Sequence, residues 1–247
     1  MHQSCLAVPY VLPKSDPMKT IGILGGMSAA STQLYYRTLC DLTRARLGGL
    51  HSPELLIRSL DFARIEALQM ADQWDEAGAI LNAEAKALED GGAEILLLAT
   101  NTMHKLADQM MESVSIPLLH IADATAATIK TAGHTRPGLM ATAFTMERSF
   151  YLDRLTAAGL DPLVPNDLDR ATTHRIIYEE LCKGITTSES ENQYIEIAQR
   201  LKDEGADCLI LGCTEVGMLL NANNTPLPVF DTTQIHCEAA LDLALSN

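Results

Sequence analysis

Two stretches of this chain read almost alike, and that repeat constrains the fold more than any other feature. Gly-Gly-Ala-Glu-Ile-Leu-Leu-Leu-Ala-Thr-Asn-Thr (91–102) resembles Glu-Gly-Ala-Asp-Cys-Leu-Ile-Leu-Gly-Cys-Thr-Glu (204–215), an offset of 113 that sets Thr100 opposite Cys213. A second match, Gly22-Ile-Leu with Gly138-Leu-Met, has an offset of 116 and carries Tyr35 close onto Tyr151 and Leu39 onto Leu155. Short apolar strands resemble one another in any α/β protein. Two matches at nearly one offset point instead to a duplicated unit.

The pattern between the matches sets the fold class. β-like apolar runs at 20–24, 55–60, 95–99, 117–120, 138–141, 208–212 and 228–230 alternate with helical patterns near 30–47, 74–90, 103–112, 122–132, 147–158, 172–183, 189–204 and 232–245. Strands apolar on both faces, each followed by a helix, are the mark of parallel sheets covered on two sides. The expected fold is therefore α/β: two pseudo-symmetric duplicated domains, each a parallel sheet flanked by helices. Ligands of such sheets bind beyond the carboxyl ends of the strands, so the expected site is the cleft between the domains.

Composition narrows the partners. The formal net charge of −14 excludes a broad basic surface for nucleic acid. No run of apolar residues is long enough for a transmembrane helix. With only 4 % aromatic residues, the core must be aliphatic. Residues 1–17 contain a short apolar stretch interrupted by Pro9 and Pro13, without a basic segment before it. They do not read as a secretory signal and are expected to be a mobile extension preceding Met18. Six cysteines without such a signal do not suggest a disulfide framework, and the acidic balance fits the cytoplasm. Cys208 and Cys213 fall on opposite faces of one strand-like run. The histidines His51, His120, His134, His174 and His236 are scattered, so no metal site is expected.

The two strand ends carry the chemistry. Cys213 follows an apolar run and precedes a predicted helix, a placement that favours thiolate and suits a base or nucleophile. A buried structural cysteine is the competing reading. Thr100 occupies the equivalent place in the first half, where its hydroxyl is a far weaker base and an ordinary helix cap. His104, four residues on, is expected to share a face with Thr100 as a proton relay, or else to be a capping or surface histidine. Asn101, Thr102 and Thr214 are short donors suited to a carboxylate. Gly25-Gly26-Met27-Ser28 adds backbone donors, without the spacing of a dinucleotide site. Thr142 and Thr145 could hold the other end of a substrate. Arg58, near the end of the second strand, could pair with a side-chain carboxylate or face solvent.

Taken together and in order, Ile-Gly-Ile-Leu-Gly-Gly-Met-Ser (21–28), Ala-Thr-Asn-Thr-Met-His-Lys (99–105), Leu-His-Ile-Ala-Asp-Ala-Thr (119–125), Gly-Cys-Thr-Glu (212–215) and Pro-Val-Phe-Asp-Thr-Thr (228–233) resemble the aspartate/glutamate racemase superfamily. The resemblance runs from about Met18 to the C-terminus. It implies a first domain of residues 18–116 and 228–247, a second of residues 117–227, and a C-terminal helix that packs back on the first. It also implies a cofactor-independent racemase in which two residues on opposite faces of the substrate remove and return the Cα proton. Cys213 matches the second thiol of that scheme. Thr100 stands where most members have the first, as in the broad-specificity L-aspartate/glutamate branch. By the same resemblance, Asn101, Thr102 and Thr214 hold the α-carboxylate with the Met27–Ser28 backbone beside them. Where the family often has Gly-Thr-Arg, this chain has Ala141-Thr142-Ala143, without the cation.

The expected activity is interconversion of L- and D-aspartate, and of glutamate, in a homodimer. The alternatives are a decarboxylase or maleate-type isomerase that uses the single thiol of Cys213, and a non-catalytic dicarboxylate-binding protein.

Overall fold

The repeat predicted from sequence becomes two parallel sheets in a computed structural model, which describes residues 18–246. The elements are β1 (Ile21–Gly25), α1 (Ala29–Leu47), β2 (Leu55–Ser59), α2 (Phe62–Met70), α3 (Trp74–Asp90), β3 (Ile95–Leu98), α4 (Ala107–Met110), β4 (Leu118–Leu119), α5 (Ile121–Thr131), β5 (Pro137–Met140), α6 (Ala143–Glu147), α7 (Ser149–Ala157), α8 (Asp167–Glu179), α9 (Ser188–Asp203), β6 (Cys208–Leu211), β7 (Val229–Asp231) and α10 (Thr232–Leu245). One sheet runs β2-β1-β3-β4 and the other β5-β6-β7, all parallel. Residues 1–17, expected to be a mobile extension, lie outside the described residues.

Alternation along each central strand fills two cores. In the first sheet, Ile21, Ile23, Ile95 and Leu97 face Tyr35 and Leu39 of α1 and Ala240 of α10. Leu24, Leu96 and Leu98 face the other way, toward Leu81 and Leu88 of α3. The second sheet repeats the arrangement. Cys208, Ile210 and Leu139 face Tyr151 and Leu155 of α7, while Leu209, Leu211 and Met140 face Ile197 and Leu201 of α9. Two fully apolar faces per strand are what a helix-covered parallel sheet requires.

The register bears the duplication out in detail. Gly22 pairs with Leu96, and Gly138 pairs with Leu209. A Cβ on Gly22 would lie 3.1 Å from Leu96 Cδ2 and 3.4 Å from Leu88 Cβ. A Cβ on Gly138 would lie 3.2 Å from Leu209 Cδ2 and 3.3 Å from Leu201 Cβ. Each glycine is thus the gap into which a strand leucine and a helix leucine close.

Several expectations need correction. β4, at 118–119, belongs to the first sheet and β7, at 229–231, to the second, so both proposed domain boundaries cut a strand from its own sheet. α10 does pack against α1 and α5, with Cys237, Ala240 and Ala244 in the first core. The helix expected near 103–112 is a 3₁₀ turn over Thr102–Leu106 followed by the single turn of α4. The helix expected near 147–158 is broken at Arg148, whose backbone is extended, into α6 and α7. α8 begins earlier than expected because Asn166 caps it, accepting from the N–H of Asp169. The short α2, capped by Asp61, was not expected. Among the described residues, no helix is long and apolar enough to cross a membrane.

Candidate active site

The carboxyl ends of β1, β3, β5 and β6 open onto one cavity between the two sheets. Met27 and Ser28 reach it from β1, Thr100, Asn101 and Thr102 from β3, Thr142 from β5, and Gly212, Cys213, Thr214 and Glu215 from β6. These are the turns that follow the strand ends, so the fold converges their polar groups on one space.

Glu215 ties the two halves together. It is buried, and its Oε1 accepts from the Ser28 hydroxyl at 2.8 Å. Ser28 also caps α1, accepting from the N–H of Ser31. Oε2 of Glu215 accepts from the Cys213 thiol at 2.9 Å and from the Thr214 hydroxyl at 2.5 Å. Cys182 stands behind, its sulfur 3.9 Å from Oε1.

This arrangement reverses the expectation for the thiol. After Cys213 the chain makes only a 3₁₀ turn over Val216–Met218, so no α-helix N-terminus is present to favour thiolate. Burial first, and the Glu215 carboxylate second, push the Cys213 pKa well above that of an ordinary thiol. Cys213 is therefore a proton donor at rest. Cys182 is likewise pushed up to about 12, by burial and by Glu215.

His104 does not have the expected role. Its Nδ1 bonds the Thr100 carbonyl at 2.7 Å, and its Nε2 accepts from the N–H of Ile121 at 3.3 Å. Both ring nitrogens are spent on backbone, as in a neutral imidazole. Burial, with His120 and His236 nearby, holds its pKa well below the usual histidine range. It positions the Thr100 turn from behind and is not a relay from the Thr100 hydroxyl. The buried Thr100 itself lines the cavity.

The polar wall is likewise more specific than expected. Thr102 Oγ1 lies 3.0 Å from Thr142 Oγ1 and 3.3 Å from Thr145 Oγ1. Thr102 and Thr142 line the cavity, while Thr145 is fully buried against the pair. Asn101 was expected to donate to a carboxylate. One N–H of its Nδ2 donates to Thr232 Oγ1 at 3.1 Å, which leaves the other for such a contact. That hydroxyl spends its own proton on the Leu211 carbonyl, so it can only accept from Asn101, which fixes the amide's orientation. The Asn101 Oδ1 is left buried without a partner. It is an acceptor suited to an ammonium.

Arg58 is not brought to the cavity. β2 is an edge strand, and the exposed Arg58 forks onto Glu84 of α3, with Nη2 to Oε1 at 3.1 Å. Sequence reasoning passed over Phe62, Gln69, Ile177, Tyr178 and Cys182, all of which line the cavity. Glu215 stands out in the sequence only as the last residue of Gly-Cys-Thr-Glu. Gln69 was detectable: it sits with Ile65 and Leu68 on the buried face of α2, where a polar side chain is out of place. The fold also brings ligand-type atoms of His134, Asp207 and Cys208 within 4.8 Å of one another. Their spacing in sequence did not suggest this grouping. Asp207 there is engaged by the N–H groups of Thr135 and Arg136.

Comparison with known proteins agrees with this geometry. The model of the Asp/Glu/hydantoin racemase family matches residues 24–240. A Yersinia pestis protein whose crystal structure is described as that of a candidate Asp/Glu racemase is 46 % identical, with a TM-score of 0.87 over 93 % of this chain and 100 % of that one. An aspartate racemase homologue from Pyrococcus horikoshii OT3 is 34 % identical, with a TM-score of 0.82 over the same shares. The broad-specificity amino-acid racemase RacX of Bacillus subtilis is 24 % identical over 220 residues, covering 86 % of this chain and 92 % of that protein. With its two parallel sheets, its shared cavity and a match across nearly its whole length, this chain belongs to the Asp/Glu/hydantoin racemase family.

Proposed function

We propose that this protein is an amino-acid racemase that works without a cofactor, with Cys213 and Thr100 exchanging the Cα proton from opposite sides. The observation that carries the reading is positional. Cys213 and Thr100 stand two residues beyond equivalent strands, β6 and β3, and both line the same cavity. A substrate between them presents one face of its α-carbon to each.

The Cα–H of an amino acid is a weak acid, so the site must stabilise the carbanion as it forms. Hydroxyls of Thr102 and Thr142, with backbone N–H groups at the strand ends, supply donors for the α-carboxylate and for the charge that spreads onto it, while the Thr214 hydroxyl, expected to join them, donates to Glu215. Asn101 Oδ1 and the Glu215 carboxylate receive the ammonium. Glu215 also takes the Cys213 proton when the thiol is to act as base. On the other face Thr100 is a weak acid and base, so the two directions of the reaction are unequal. For aspartate and glutamate, the substrates the family resemblance implies, the α-centre fits this scheme. Their second carboxylate meets a cavity wall on which none of the described residues is Lys or Arg.

Chiral chromatography of L- and D-aspartate and glutamate incubated with the purified protein tests the reading. Cys213→Ser should lower turnover by about 10²-fold or more, and near-normal turnover in that variant would refute it. The single thiol also favours a second reading, decarboxylation of a substituted malonate or isomerisation of maleate. Release of CO₂, or appearance of fumarate, without racemisation would select it.

A further inference from the structure

The second sheet carries polar chemistry at both of its ends. Its carboxyl end opens onto the cavity. At its amino end, where β5 and β6 begin, three side chains of different ligand type meet. His134 lies in the turn between α5 and β5, Asp207 in the turn between α9 and β6, and Cys208 is the first residue of β6. The parallel pairing of Pro137 with Cys208 brings these distant stretches together. One ligand-type atom from each of the three lies within 4.8 Å of the other two.

Asp207 is held as a ligating carboxylate is held. Its Oδ2 accepts from the N–H of Thr135 at 2.8 Å, the N–H of Arg136 at 3.1 Å and the Thr135 hydroxyl at 3.3 Å. Such contacts fix a carboxylate from behind and orient its other oxygen. That oxygen, Oδ1, is buried and has no hydrogen-bond partner. Nδ1 of His134 stands 3.7 Å from it, too far for a hydrogen bond. The spacing is near the roughly 3.4 Å between two ligand atoms that each lie about 2.1 Å from one tetrahedral zinc. Among the described residues, no Lys or Arg pairs with Asp207, and the adjoining Arg136 pairs with Asp161 at 3.0 Å.

A histidine–aspartate pair has no use for a thiol. Cys208 is fully buried and belongs to the core cluster against which Phe230 packs. The His134 ring meets Phe230 edge-on at 5.6 Å, so thiol and imidazole share one neighbour. His134 is partly exposed, which gives an ion a way in and gives the ring room to turn toward the thiol. Sulfur, imidazole and carboxylate together suit Zn²⁺ and not Mg²⁺ or Ca²⁺, which take oxygen ligands.

We propose that His134, Asp207 and Cys208 bind one Zn²⁺, with water as the fourth ligand, and that the ion ties the turn before β5 to the turn before β6. Zn²⁺ replaces the Cys208 proton, which leaves to solvent, and no electron is transferred. The site lies at the opposite end of β6 from Cys213. It has no part in the reaction, so it stands or falls independently of the racemase reading.

Titration of the chelator-treated protein with Co²⁺ tests this, because bound cobalt reports its ligands in its absorption spectrum. The wild type should take up one Co²⁺ and show sulfur-to-cobalt charge-transfer absorption that Zn²⁺ then abolishes. The absorption should persist in Cys213→Ala and be absent in Cys208→Ser. His134→Ala and Asp207→Asn should each weaken binding by at least about 10-fold. His134 is partly exposed, so its variant stays informative where Cys208→Ser fails to fold. Zn²⁺ should also raise the melting temperature of the wild type and leave that of His134→Ala unchanged. A wild type without charge-transfer absorption would overturn the proposal. So would absorption lost in Cys213→Ala but kept in Cys208→Ser, which would put the metal in the cavity, or binding unchanged in both His134→Ala and Asp207→Asn.

Discussion

The two halves of this molecule share a frame and differ at its ends. Gly22 with Leu88 and Leu96 repeats as Gly138 with Leu201 and Leu209, and Tyr35 with Leu39 repeats as Tyr151 with Leu155. At the strand ends the likeness stops. β3 leads into Thr100 and a 3₁₀ turn held from behind by His104. β6 leads into Cys213 and a shorter turn whose Glu215 reaches across to Ser28. Packing leaves a strand interior few solutions, so the frame stays alike in both halves. The strand ends turn polar groups into the cavity, and there one half carries the Thr100 hydroxyl and the other a thiol hydrogen-bonded to Glu215.

The largest effect should expose that asymmetry in chemistry. Cys213→Ala should reduce racemisation by about 10²- to 10⁴-fold, the usual range for loss of a general acid or base. Thr100→Ala should cost less, about 10-fold, with the loss unequal in the two directions. Initial rates from the L and the D enantiomer measure this, and equal losses in the two variants would make the halves chemically alike after all.

A second contrast is the acid sensitivity of the seam between the first sheet and α10. His104, His120 and His236 are buried side by side, with ring centroids of His104 and His120 only 4.4 Å apart. Burial lowers His120 and His236 to about 4 from 6.5. The unfolded chain therefore binds more protons than the folded one between those values. The stabilisation is complete above pH 6.5 and is lost as pH falls toward 4, on the order of a few kcal/mol. Urea unfolding followed by circular dichroism at stepwise pH checks this, and stability constant from pH 7 to 4.5 would contradict it.

A smaller effect tests the shared frame. A Cβ at Gly22 would meet Ala93 Cβ at 2.8 Å, an atom fixed to backbone. A Cβ at Gly138 would meet Leu201 Cδ1 at 3.0 Å, the far end of a flexible side chain. Gly22→Ala should destabilise by about 1–3 kcal/mol, and Gly138→Ala by less. Denaturant midpoints compare the two, and the reverse order would show that the halves do not pack as their register indicates. The smallest effect is electrostatic. Glu215→Gln removes a charge that raises the Cys213 pKa, so the thiol should ionise at lower pH in the variant. Thiolate absorbance against pH reads this directly, and an unchanged or higher pKa would remove Glu215 from the account.

Much of this was legible in the sequence, for reasons the halves make plain. Apolar runs and their offset specify strands, register and the opposition of Thr100 to Cys213, because burial on two faces leaves a strand few choices. The placement of Thr102, Thr142 and Thr214 on the cavity followed from lying at strand ends. Functions set by hydrogen-bond partners were not legible. The role of His104 depends on Ile121 N–H, and the orientation of Asn101 on what Thr232 does with its proton. The absence of Arg58 from the cavity depends on Glu84, which lies on a separate helix. Each of these partners is distant in sequence or hidden in the backbone. The resting state of Cys213 was misjudged because no residue pattern announces that the turn after β6 stops short of a helix.

The most direct measurement is proton NMR of an L-amino acid incubated with the protein in D₂O, run on aspartate and on glutamate. Loss of the Cα–H signal with the wild type and its persistence with Cys213→Ala are the result expected if Cys213 moves the Cα proton. Equal loss with Cys213→Ala, or no loss from either enantiomer of either amino acid, would contradict it.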